Sequence, residues 1–111
     1  MKFKNTLQKG SVRYIVFKEN NKWYAVGLEF NIVEAGDDPR EVLLFLFEAI
    51  QGYVKSALKI KARPLILNQK ADEEYENLWD ILQQRKRVPV YKSNKPIPFV
   101  YTFGERALAV A

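Results

Sequence analysis

The chain has 111 residues with 48% hydrophobic and 14% aromatic content, a net charge of +5, and neither cysteine nor histidine. That length supports one core and a single domain over residues 1–111, with enough apolar surface to offset the entropy lost on folding. The missing residue types remove disulfides, thiolate nucleophiles, zinc sites built on cysteine and every catalytic triad that needs an imidazole base.

Residues 1–10 alternate Lys2, Lys4 and Lys9 with Phe3 and Leu7, a pattern that fits either a short lead-in strand or a loose terminus. Residues 12–17 read Val-Arg-Tyr-Ile-Val-Phe, β-branched and aromatic throughout except at Arg13, as expected of a strand buried on most of both faces. Asn20 and Asn21 tolerate the positive φ of a hairpin turn, so the chain is expected to double back. The second strand, residues 23–28, puts Trp23, Ala25 and Gly27 on one face, small enough beyond Trp23 to lie close under a helix. A third strand follows, with Phe30, Ile32 and Glu34 alternating, after a bulge or tight bend near Leu28 and Glu29.

Asp38, Pro39 and Glu41 spell a helix N-terminus: Asp38 as cap, Pro39 in the first turn and Glu41 at the capping-box position. At 100° per residue the apolar positions from Val42 to Ile60 cover about half the helix circumference, and Leu44 and Phe45 fall at its margins. A helix lying on one sheet needs a stripe of only ~100°, so a second neighbour is expected, either the C-terminal segment or another copy of the chain.

Pro64 ends the helical region, and residues 65–67, Leu-Ile-Leu, read as a short fourth strand. A second helix carries Tyr75, Leu78, Trp79 and Leu82 at helical spacing, with acids in its first turn and Arg85, Lys86 and Arg87 in its last, complementing the helix dipole. After Pro89, the alternation of Phe99, Tyr101 and Phe103 behind Pro96 and Pro98 fits an edge strand or an extended arm. Left open to water, such a strand is a liability, so Leu44, Phe45, Phe99, Tyr101 and Phe103 are the candidate surface for a homodimer.

Residues 14–17 (Tyr-Ile-Val-Phe), 23–26 (Trp-Tyr-Ala-Val), the run 28–42 through Gly36, Asp37, Asp38 and Pro39, and Ala49-Ile50-Gln51-Gly52-Tyr53 together resemble the N-terminal domain of HicB-family antitoxins. The resemblance covers about half the chain, with residues 12–68 as the HicB-like core and 69–111 as a C-terminal helix and extended arm. It implies an α+β fold related to a reduced ribonuclease H core: an antiparallel three-stranded meander, a long helix, then a fourth strand parallel to the first. A right-handed crossover to residues 65–67 satisfies the chirality rule. It also implies a partner, a HicA-like toxin that cleaves messenger RNA, and an antitoxin that is not itself an enzyme. Active ribonuclease H enzymes hold metal ions on clustered carboxylates, one in the middle of the first strand. Here residues 12–17 carry no acid. Many HicB proteins also bind DNA through a C-terminal helix-turn-helix or ribbon-helix-helix, and no such pair of elements is visible after Asn68.

Other groupings point less far. The five glycines are scattered and form no phosphate-binding loop. No stretch approaches the ~20 apolar residues of a membrane span, and no apolar segment follows the charges at the start, so the chain reads as cytoplasmic. Arg85, Lys86, Arg87, Lys92 and Lys95, with Tyr91 among them, make the alternative functional reading, a basic patch for nucleic acid with an aromatic ring for stacking. Asp37 and Asp38 beside Glu34 lack further ligands spaced for a cation, and a cap explains Asp38. Glu29 and Glu34, five apart on a strand, point to opposite faces and are read as structural. No cofactor and no metal site is expected.

Overall fold

The computed structural model describes residues 4–6, 10–87 and 98–108. Its first three strands, β1 (Ser11–Glu19), β2 (Lys22–Gly27) and β3 (Ile32–Gly36), form an antiparallel meander. The β1–β2 hairpin closes on Asn20 and Asn21, whose φ values of 54° and 62° are those of a two-residue turn matched to strand twist. The bend expected at Leu28 and Glu29 is a turn over residues 28–31, held by the Asn31 N–H donating to the Leu28 carbonyl at 3.2 Å, with Asn31 at φ 55°. The third strand therefore starts at Ile32 rather than Phe30. Phe30 turns inward instead, and its ring lies 4.6 Å from that of Tyr53.

Helix α1 (Pro39–Lys59) begins as its sequence dictates: Asp38 Oδ1 accepts the N–H of Arg40 at 2.8 Å and of Glu41 at 3.3 Å, with Pro39 in the first turn. Glu41 takes part through its backbone, and its side chain is exposed. Val42, Leu46, Ile50, Val54 and Ala57 are buried against Val12, Val16 and Ala25. The close approach expected over the small face of β2 is present at Gly27, where an added Cβ would stand 3.4 Å from Leu46 and 3.5 Å from Ile50. Helix α2 (Glu73–Arg87) covers the opposite face of the sheet, with Leu78, Trp79 and Leu82 packed on Ile15, Phe17, Val26 and Leu28. Alternate residues of β1 thus feed two separate clusters, and the sheet is the middle layer between two helices.

Two expectations about the fourth strand fail. Residues 65–67 lie in a 3-10 turn (Pro64–Leu67) and not in a strand parallel to β1. Side chains take the carbonyls that a ladder would need: Tyr53 Oη donates to the Ile66 carbonyl at 2.7 Å, and Asn5 Nδ2 donates to that of Leu67 at 2.8 Å. The place beside β1 goes to β4 (Phe99–Ala107), which is antiparallel to it, so the sheet order is β3-β2-β1-β4 and every pairing is antiparallel. Over the described residues the protein is α+β with a four-stranded antiparallel sheet and two α-helices.

Phe99, Tyr101 and Phe103 also fail to share one face. The register slips between Val16 paired with Thr102 and Phe17 paired with Val100, which makes Tyr101 the extra residue of a bulge. Phe103 consequently lies against Trp79 of α2 at 5.8 Å, while Phe99 and Tyr101 meet Trp23 on the α1 side.

These positions give opposite expectations for two large apolar side chains. Trp79→Ala, which removes a buried ring between α2 and the sheet, is expected to cost about 3–5 kcal/mol. Leu44→Ala, at a side chain 55% exposed, is expected to cost less than about 0.5 kcal/mol. Urea denaturation of both variants checks the assignment of layers.

Candidate functional site

Arg13 is the one charged residue in the apolar run of β1 from Val12 to Phe17, and a cation so placed requires partners. It finds them in Glu29, on the turn after β2. Glu29 Oε1 accepts the Arg13 backbone N–H at 2.8 Å, and Oε2 accepts Arg13 Nε at 2.7 Å and Lys4 Nζ at 2.9 Å. Arg13 Nη2 reaches Glu76 Oε1 on α2 at 2.7 Å, and its guanidinium lies 5.6 Å over the Trp79 ring. Lys4 bridges onward to Glu105 on β4 at 2.6 Å, and Ser11 Oγ donates to the same carboxylate at 2.7 Å. One network therefore ties the N-terminal segment, β1, the β2–β3 turn, α2 and β4.

Burial pushes the Glu29 carboxyl up, but the hydrogen bonds from Lys4 and from the Arg13 backbone and side chain, with the Arg13 charge, outweigh it and leave the group below its ordinary value. The Arg13 guanidinium is likewise disfavoured by burial and held charged by Glu29 and Glu76, with a net rise. Glu105 is lowered by its bonds from Lys4 and Ser11. These carboxylates are ionised and occupied by cations, an arrangement suited to holding elements together and not to moving protons. Among the described residues, no group of three or more acids is placed to hold a metal ion. No helix among them is long and apolar enough to cross a membrane.

Beside this network lies a clasp that sequence reasoning missed. Asn5 is fully buried; its Oδ1 accepts the Ser11 N–H, and its backbone N–H and carbonyl pair with the Asn68 side chain, each at 2.8 Å. A Cβ on Gly10 would collide with the Asn5 side chain, so this fold-back needs glycine there. Nothing in the sequence marks Asn5 or names the partners of Glu29, because Asn5 bonds to Asn68, 63 residues away, and Glu29 to Arg13, 16 away.

The residues singled out for binding separate into distinct places. Arg85 is exposed and, with Leu82, lines a groove of about 540 Å³ beside Phe99 to Phe103 of β4. Lys86 and Arg87 end α2, and Tyr91, Lys92 and Lys95 lie outside the described residues. Leu44 and Phe45 are 55% and 40% exposed on α1, because α2 covers the other side of the sheet and not this helix. Part of the second neighbour that α1 requires is the C-terminal strand: the Arg106 guanidinium sits 4.2 Å from the Phe47 ring centre, and Leu108 packs on the same cluster. At the other end of β4, Phe99 and Tyr101 are 68% and 43% exposed.

Compared with family models, with curated proteins and with solved structures, the chain shows no significant match.

The Glu29 network sets a pH dependence. A carboxyl whose folded value lies below its unfolded value, about 4.3 for Glu, adds stability above that unfolded value and loses it as pH falls through the folded one. Thermal stability is expected to hold level from neutral pH down to about 5 and then to fall as Glu29 and Glu105 take up protons. Glu29→Gln is expected to cost about 2 kcal/mol at neutral pH and to make the acid limb shallower. Melting curves of both proteins across this range test it, and identical acid limbs would count against the network.

Proposed function

We propose that the chain is a non-enzymatic binding protein of the HicB-like antitoxin kind, acting in the cytoplasm, whose partner is a small basic RNA-cleaving protein of the HicA-like type. The observation that carries this reading is the outer face of the first half of α1. Leu44 and Phe45 stand exposed there between Glu41 and Glu48, with Asp37 and Asp38 at the helix start, all of them exposed. An apolar centre inside a rim of four carboxylates and one guanidinium, Arg40, carries a net negative charge and fits a basic partner: the rim steers it by charge, and the centre supplies the buried contact.

The order of elements supports the same reading, since a meander with an aromatic second strand leads through Gly36 and the Asp38 cap into a long helix. The fourth strand does not follow the family's pattern, so the likeness we propose to a reduced ribonuclease H core is limited to residues 11–59. The non-enzymatic part of the reading draws on the lack of histidine and cysteine and on the pairing of Glu29, Glu76 and Glu105 with Lys4 and Arg13.

The test is a binding titration with the small basic protein expected from the neighbouring reading frame. A complex is expected, and Leu44→Glu with Phe45→Glu should weaken it by about 30-fold or more. Glu41→Lys with Glu48→Lys should weaken it chiefly at low salt, where exposed charges are least screened. A neighbour that forms no complex, or that binds the Leu44 and Phe45 variant equally well, would sink the proposal.

A further inference from the structure

The end of the sheet nearest the start of α1 carries an aromatic corner. Trp23 on β2 makes edge contacts with Phe99 and with Tyr101, both at 6.0 Å between ring centres. The helix lies chiefly over β3 and β2, so the β4 part of this corner is not roofed, and Phe99 is left 68% exposed. Lys18 Nζ stands 5.7 Å over the Trp23 ring, and the Arg40 guanidinium faces the Tyr101 hydroxyl. On the other side of Trp23, its register partner Gly36 leads directly into Asp37 and Asp38.

We propose that this corner is where a second copy of the chain docks, ring cluster against ring cluster across a two-fold axis. Aromatic side chains grouped with an arginine are the usual anchors of protein interfaces. The rim identifies the occupant, because it carries both signs in balance: Lys18 and Arg40 against Asp37 and Asp38, all exposed. A polyanion would meet the two carboxylates, and a strongly basic protein would meet the two cations. A copy of the same surface meets neither difficulty. Lys18 and Gly36 flank Trp23 on adjacent strands, so an axis through the Trp23 corner sets Lys18 of one copy against Asp37 of the other, twice.

The bulge at Tyr101 fixes the manner of contact. It interrupts the free edge of β4 beside the corner, where strand addition through Phe99 and Tyr101 would run. Docking therefore goes through side chains and closes as a pair, and does not continue into a fibre. The two surfaces share Asp37 and Asp38 at their rims but have different apolar centres, Trp23 and Phe99 here and Leu44 and Phe45 on the face proposed for the toxin-like partner, so the Phe99 and the Leu44 and Phe45 variants test them separately.

Sedimentation equilibrium of the full chain across the micromolar range tests the proposal. The mass is expected to rise from 13.0 kDa toward twice that value with concentration. Phe99→Asp should abolish the rise while leaving the melting temperature unchanged. Lys18→Glu and Asp37→Lys should each weaken the dimer, and mixing these two variants should restore it, because each then supplies the charge that the other lacks. A mass of 13.0 kDa at every concentration would overturn the proposal. So would a dimer indifferent to Phe99→Asp, a mixture no better than its components, or a monomer whose corner instead binds a single-stranded oligonucleotide through Phe99. Loss of the dimer in Phe99→Asp with toxin binding retained would separate this inference from the proposed function.

Discussion

Everything in this molecule depends on β1 being buried on both faces and paired on both edges. Val12, Ile15 and Val16 have no exposure, with β2 on one side of the strand and β4 on the other. A strand covered twice demands two layers of apolar side chains, and one helix supplies only one. Hence α1 and α2 lie on opposite faces, and the buried side chains form two separate clusters, one on each face of the sheet.

The same burial explains the ion network. Arg13 occupies a position whose neighbours along the strand face the interior, so its charge requires fixed partners near the sheet. Glu29 supplies most of them from the turn after β2, which makes that turn more than a connection: its shape decides where the carboxylate stands. Lys4 and Glu76 then extend the pairing to the N-terminal segment and to α2. The ion pairs thus reinforce the packing of α2 on the sheet and tie in the N-terminal segment, at the cost of desolvating Glu29, whose side chain is only 8% exposed.

Unequal coverage creates the free surfaces. Because α1 leans over β3 and β2, the β1–β4 half of that face is closed by Tyr14, Phe47 and Arg106 at one end and stays open around Phe99 and Tyr101, beside Trp23, at the other. Tyr14 lies so close over Gly104 that a Cβ there would stand 2.8 Å from its hydroxyl, which shows how tightly the closed end is fitted. The open end has no such cover, and the outer side of α1 has none either. The aromatic corner and the acidic, apolar helix face are both consequences of where one helix lies.

The sequence by itself determined the local elements. Asn20 and Asn21 specify a hairpin, Asp38 and Pro39 specify a helix start, and the spacing of Tyr75, Leu78, Trp79 and Leu82 specifies the buried side of α2, because each signal acts within one turn of chain. The prominence of Leu44 and Phe45 was legible for the same reason. What lay beyond it was decided by contacts across long separations. Three apolar residues at 65–67 suit a strand or a 3-10 turn equally, and the outcome followed from Asn5 and Tyr53 taking their carbonyls and β4 taking the edge of β1. A single extra residue at Tyr101 sent Phe103 and Phe99 to opposite faces, which no alternation pattern records. Glu29 was legible as a structural acid near a bend but its partners Arg13 and Lys4 were not, for a charge has no periodicity, and its partner is chosen only when the chain has folded.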